Sequence, residues 1–139
     1  MIRLKKQYTK EEKIEYLKSL RNKWIETKKQ LTNGEIDSIK AVIKTHGLNI
    51  SYISYFMVSH QMKALGLDGI PYLDCKTFQG WKENGYIVKK GEKSKIDGIT
   101  WLTILPKDEN GEEILEEEGY VLPKAYHLFH KTQVEPLIS

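Results

Sequence analysis

The sequence has one cysteine, Cys75, and four prolines in 139 residues. A single thiol cannot close an intramolecular disulfide, so nothing in the chain calls for an oxidising compartment. With no catalytic partner in sight, Cys75 reads as a small, semi-buried residue. No apolar run approaches the roughly 18 residues that a membrane helix needs. The opening MIRLKKQYTKEEK also lacks the apolar stretch of a signal peptide. The expected location is the cytoplasm, with no membrane partner. P-loop, G-x-S-x-G, G-x-G-x-x-G and H-E-x-x-H motifs are all missing. His46, His60, His127 and His130 fall in no metal-ligand spacing. His127 and His130, three apart in an expected strand, point to opposite faces of it. The chain is therefore expected to be non-catalytic, without metal or cofactor.

No repeat and no low-complexity linker interrupts the sequence, and its length suits a single domain spanning 1–139. A hydrophobic fraction of 40% beside 29% charged residues is that of a globular protein with a real core. The net charge of +3 conceals an uneven distribution. Residues 1–31 carry ten Lys or Arg against four Glu, and residues 76–95 carry six Lys against Glu83 and Glu92. Seven acids crowd into Asp108–Glu118, which reads as a solvated loop or as a mimic of phosphate that competes for a basic surface.

Thr9 and Glu12 form a T-x-x-E capping box, and Ile14, Leu17, Leu20 and Trp24 follow at helical spacing, predicting a helix over about 10–30. Asn33-Gly34 supplies turn chemistry before a second helical pattern through Ile36, Ile39 and Ile43, which stops at Gly47. A third helix spans Asn49–Gly66, entered through Asn49 or Ser51. Thr77 then caps a short helix carrying Phe78 and Trp81 and ending at Gly85. Beyond Gly85 the apolar period changes from helical to two: YIVKKGEK, ITWLTILP and GYVLPKAYHLFH read as strands, with the acidic segment as an exposed loop containing at most one helical turn. The fold class is α+β, N-terminal helices followed by a small antiparallel sheet of about three strands.

What remains to carry function is lysine interleaved with aromatic rings. Single-stranded nucleic acid is held by that pairing, cations following the phosphates and flat rings stacking on unpaired bases. Each residue also has a plainer role open to it. Trp81 and Phe129 suit a core of this size, and Lys89 and Lys90 suit the wet face of an edge strand, where lysine blocks aggregation.

Several pieces in order resemble the N-terminal single-stranded-DNA-binding domain of ArdC-type antirestriction proteins and related LtrC-like plasmid proteins. The segment NGYIVKKGEKS matches the family form G-x-x-V-x-K-G-E-K at Gly85, Val88, Lys90, Gly91, Glu92 and Lys93. TFQGWKENG stands where that family has its aromatic approach, SYISYFMVSHQMKALG is similar to its tyrosine-started helix, and LFHKTQVE looks like its closing motif. His130, Thr132 and Val134 depart from that motif, where the family usually has Asp, Ser and Thr. The resemblance covers roughly residues 50–135, with 1–48 as a helical lead-in and 49–139 as the helix-plus-sheet core. It implies non-catalytic, largely sequence-independent binding of single-stranded DNA, as part of an antirestriction or conjugation protein of a mobile element. The binding residues it implies are Lys82, Lys89, Lys90, Gly91, Lys93 and Lys95 on the phosphates, with Tyr52, Tyr55, Trp81 and Tyr86 as stacking faces. Glu92 is expected to organise the turn, since a carboxylate beside phosphate is repelled. Larger members of the family carry a zinc-metallopeptidase domain with H-E-x-x-H; this sequence has no such motif, and that activity is not carried over. The alternative is a protein-binding module that inhibits or recruits a host enzyme through the acidic 108–118 loop, its partner then being a host or mobile-element protein.

Overall fold

The structure, a computed structural model, describes residues 8–105, 107–112 and 120–138. Three helices come first: α1 (Lys10–Lys29), α2 (Asn33–Thr45) and α3 (Tyr52–Ala64). A short β1 (Cys75–Lys76), α4 (Phe78–Glu83), β2 (Tyr86–Val88), β3 (Ile96–Ile104) and β4 (Tyr120–His130) follow. A 3-10 turn over Lys131–Gln133 leads into β5 (Val134–Pro136). The class is α+β, as the change of period implies. The main sheet has strand order β1-β4-β3, all antiparallel, and β2 pairs with β5 in a separate two-stranded ribbon. Sequence periodicity foresees neither β1 nor β5, because strands of two and three residues are too short to show a period.

Thr9 and Glu12 make the anticipated capping box, each side chain taking the other's backbone N–H. The turn expected at Asn33-Gly34 is not one. Thr32 and Glu35 form a second capping box, and Asn33-Gly34 lies inside the first turn of α2. A reciprocal Thr/Glu pair that satisfies two of the helix's orphan backbone donors favours helix more than an Asn-Gly dipeptide favours a turn. Ser51 caps α3, and Thr77 caps α4 by accepting from Gly80 N–H at 3.0 Å.

Both faces of the β3–β4 hairpin are covered. On one, Ile96 and Leu128 sit opposite each other and pack against Val58 and Met62 of α3 and against Cys75. On the other, Ile99 meets Met57 and Leu20, with Trp24 and Trp101 edge-to-face at 5.6 Å. Burying an aliphatic side chain of this kind stabilises by about 2 kcal/mol, so α3, which contributes to both clusters, is the keystone of the fold. Cys75 is fully buried, and its thiol is pushed up to about 12 by desolvation first and the Asp74 carboxylate second. It is a protonated core residue.

The long edge of β3 is partly sealed by a side chain. Gln61 of α3 donates to Asp97 C=O at 2.7 Å and accepts Asp97 N–H at 2.9 Å, acting as one residue of a further strand. Pro123 is tolerated in β4 because it lies opposite Trp101, two pairs along from Ile99, and its nitrogen faces the side where β1 does not reach. His127 and His130 do fall on opposite faces: His127 bonds Asp97 in the open at 2.6 Å, whereas His130 is buried.

Gly98 is opposite Tyr126, whose ring lies directly over it; a Cβ there would fall among the ring carbons. Gly98→Ala is expected to lower stability by about 2–3 kcal/mol by displacing that ring, read as the shift in a urea transition. In a Tyr126→Ala background the same change should cost under about 1 kcal/mol, because the obstructing ring is gone.

Candidate functional site

The lysine-rich stretch is a built turn. Lys89 N–H donates to Gln133 C=O at 2.9 Å, extending the β2–β5 ladder by one bond, and Glu92 N–H returns to Lys89 C=O at 3.1 Å. Lys90 and Gly91 are therefore the central residues of a four-residue turn. Gly91 has φ +87 and Lys90 is not left-handed, which is the type II geometry that asks for glycine third.

Gln133 holds this turn on the body of the protein. It is buried, its Nε2 donates to Lys93 C=O at 2.7 Å and to Glu92 Oε2 at 3.1 Å, and its Oε1 accepts His130 N–H at 3.0 Å. Glu92 is half-buried against Gln133, so its carboxylate organises the turn. Ser94 Oγ adds a bond to Leu128 C=O at 2.8 Å. Gln133 is the positioning residue that composition alone could not single out; the one signal for it is its place in the closing stretch LFHKTQVE.

The cations follow from this frame. Lys82, Lys89, Lys90, Lys93 and Lys95 are all exposed. Lys89 Nζ donates to Thr132 C=O at 3.2 Å. The ammonium groups of Lys82, Lys90, Lys93 and Lys95 have no ion-pair or hydrogen-bond partner among the described residues. Four unneutralised charges on and beside a rigid turn make a local positive field suited to an anion.

The rings divide. Trp81 is 6% exposed: its Nε1–H donates to Phe129 C=O at 2.7 Å, and Lys76 Nζ lies 5.8 Å from its centroid. Tyr55 is 9% exposed and faces the core. Neither offers a free face in this structure, because both are buried. Tyr52 is half-buried with Lys40 Nζ 5.3 Å from its ring centre, so one face is occupied. Tyr86 remains, 38% exposed and braced edge-on by Trp81 at 5.5 Å. Phe78, 50% exposed on α4 one turn before Lys82, is a ring that the candidate set omits. Its exposure is decided by which side of a six-residue helix meets the sheet, and so short a helix has no readable period.

The acidic segment lies largely outside the described residues. Where it is described, Asp108 Oδ1 accepts the N–H groups of Asn110 and Glu112, each at 2.9 Å, so this carboxylate folds its own loop. Among the described residues no cluster of three or more His, Cys, Asp or Glu is placed to hold a metal, and no helix is long and apolar enough to cross a membrane.

No protein-family model and no curated protein matches this chain. Among solved structures, the metal-free crystal structure of the antirestriction protein ArdC from plasmid R388 matches with a TM-score of 0.47 and 24% sequence identity. The match covers 76% of this chain and 41% of that one.

Proposed function

We propose that this chain binds single-stranded DNA without catalysis, through the turn Lys89–Lys95 and the adjoining α4–β2 surface. The observation that carries the reading is the Gln133 clamp: one buried amide holds Glu92 and Lys93 together and leaves Lys90, Lys93 and Lys95 exposed and unneutralised. A solvated lysine hairpin has no need of such a tether, whereas a phosphate-binding turn gains from being preorganised. Tyr86 and Phe78 beside Lys82 supply flat rings at the same surface, the complement that a single strand has and a duplex hides. The resemblance of Gly85–Lys93 and Leu128–Glu135 to ArdC-type proteins supports an antirestriction or conjugation setting on a mobile element, inside the cell.

Fluorescence anisotropy with oligo-dT over a range of salt concentrations tests this. Four phosphate contacts predict a slope of log affinity against log salt of about −3, at about 0.7 per contact. Binding that is absent, insensitive to salt, or stronger for duplex than for single strand sinks the proposal.

A further inference from the structure

A cleft of about 600 Å³ opens between α1, the start of α3 and the outer edge of β3, well along that strand from the lysine turn. Among the described residues its lining includes no charged side chain, so they offer a phosphate no counter-charge inside it. Trp24 and Trp101 form an aromatic wall. At the base, the hydroxyls of Tyr72 and Tyr126 bond each other, and Ser51 Oγ donates to Ser54 Oγ at 3.0 Å. Burial pushes both phenols up, so each keeps its proton.

Two backbone features serve this hydroxyl group. Tyr72 is the one non-glycine residue with positive φ among the described residues, at +68, a conformation that costs a side-chain-bearing residue of order 1 kcal/mol. Gly98 clears the space in which Tyr126 lies flat. The edge of β3 contributes as well. Gln61 shows that Asp97 turns its N–H and C=O outward, and by alternation Ile99 and Trp101 do the same. Their edge groups have no partner among the described residues, and neither has the Asn49 side-chain amide at the rim.

We propose that this cleft receives one unpaired nucleobase of a bound single strand. A base is a neutral flat ring with donors and acceptors confined to its rim. An indole wall, a hydroxyl floor and an edge offering both N–H and C=O match each of those properties. An extended peptide could pair with the strand edge, yet it would leave the phenol and serine hydroxyls at the base of the cleft without a purpose. The inference rests on the single-strand reading above.

The test compares oligo-dT and oligo-dA with a strand of abasic sites of equal length, on wild-type protein and on Asn49→Ala and Tyr72→Phe. Asn49 is exposed in a loop, so its replacement leaves the fold intact; Tyr72→Phe is checked by circular dichroism. Each variant is expected to lose about fivefold to tenfold in affinity for at least one base-bearing strand, as loss of part of a base contact predicts, and nothing for the abasic strand. Equal loss on base-bearing and abasic strands overturns the proposal, as does no loss on any; the latter leaves the edge of β3 to a peptide. If wild-type protein binds none of the three, the single-strand reading itself fails and takes this inference with it. Abasic binding that survives while the variants are silent removes the cleft alone.

Discussion

Replacing Lys90 and Lys93 together by Glu is expected to weaken oligo-dT binding about 100-fold, roughly tenfold for each reversed charge, or about 1.4 kcal/mol apiece. The two lysines flank Gly91 and Glu92 on a turn whose shape is set by backbone bonds and by Gln133, with neither ammonium group taking part. The double variant should therefore keep its circular dichroism and its urea midpoint within about 0.5 kcal/mol, as exposed substitutions do. Its salt slope should fall from about −3 to about −1.5, since two contacts have gone. The control is the reversal of two other exposed lysines, Lys23 and Lys28 of α1. If that pair costs as much affinity as Lys90 and Lys93, binding follows overall charge and the turn is not its site.

The largest loss of stability should come from His130→Ala, about 3 kcal/mol in urea denaturation. His130 is 1% exposed and ties three segments together. Its Nε2 lies 2.6 Å from Asp68 C=O, an acceptor only, so Nε2 carries the proton. Nδ1 is then the acceptor, taking Thr132 N–H at 3.3 Å and the Thr132 hydroxyl at 2.9 Å, and so caps the 3-10 turn. Truncation leaves a cavity, an orphaned carbonyl in the 66–74 connection and an uncapped turn. His130→Asn separates these effects. Its shorter side chain can still cap Thr132 but cannot reach Asp68, and it should recover about 1 kcal/mol of the loss. No recovery would mean that the cap contributes little and that the Asp68 tie and packing dominate.

Local signals were the legible part of this fold. Thr9, Ser51 and Thr77 cap helices because their hydroxyls reach a backbone N–H three residues on, a relation contained in a few adjacent residues. The separation of His127 from His130 follows from the period of a strand in the same way. Asn33-Gly34 misleads because two local signals compete there, and the capping box wins. The candidate site was legible in its exposed lysines and in Gly91, whose left-handed conformation a type II turn requires. Which rings are free was not legible. Tyr55 is buried, and Trp81 is held by a residue dozens of positions away, through Phe129 C=O at a separation of 48.

The sequence alone therefore determined the starts of α1, α3 and α4, the change of period after Gly85, the charge of the 89–95 turn and the α+β class. All of these arise from interactions spanning a few residues. Tertiary structure decided how that chemistry is presented. Only packing brings Gln133 beneath Glu92 and Lys93, buries His130 against Asp68, and sets Tyr72 and Tyr126 hydroxyl to hydroxyl behind an indole wall. These contacts join positions 40 to 62 residues apart, and no local pattern encodes which of many polar groups will meet once an apolar core has closed around them.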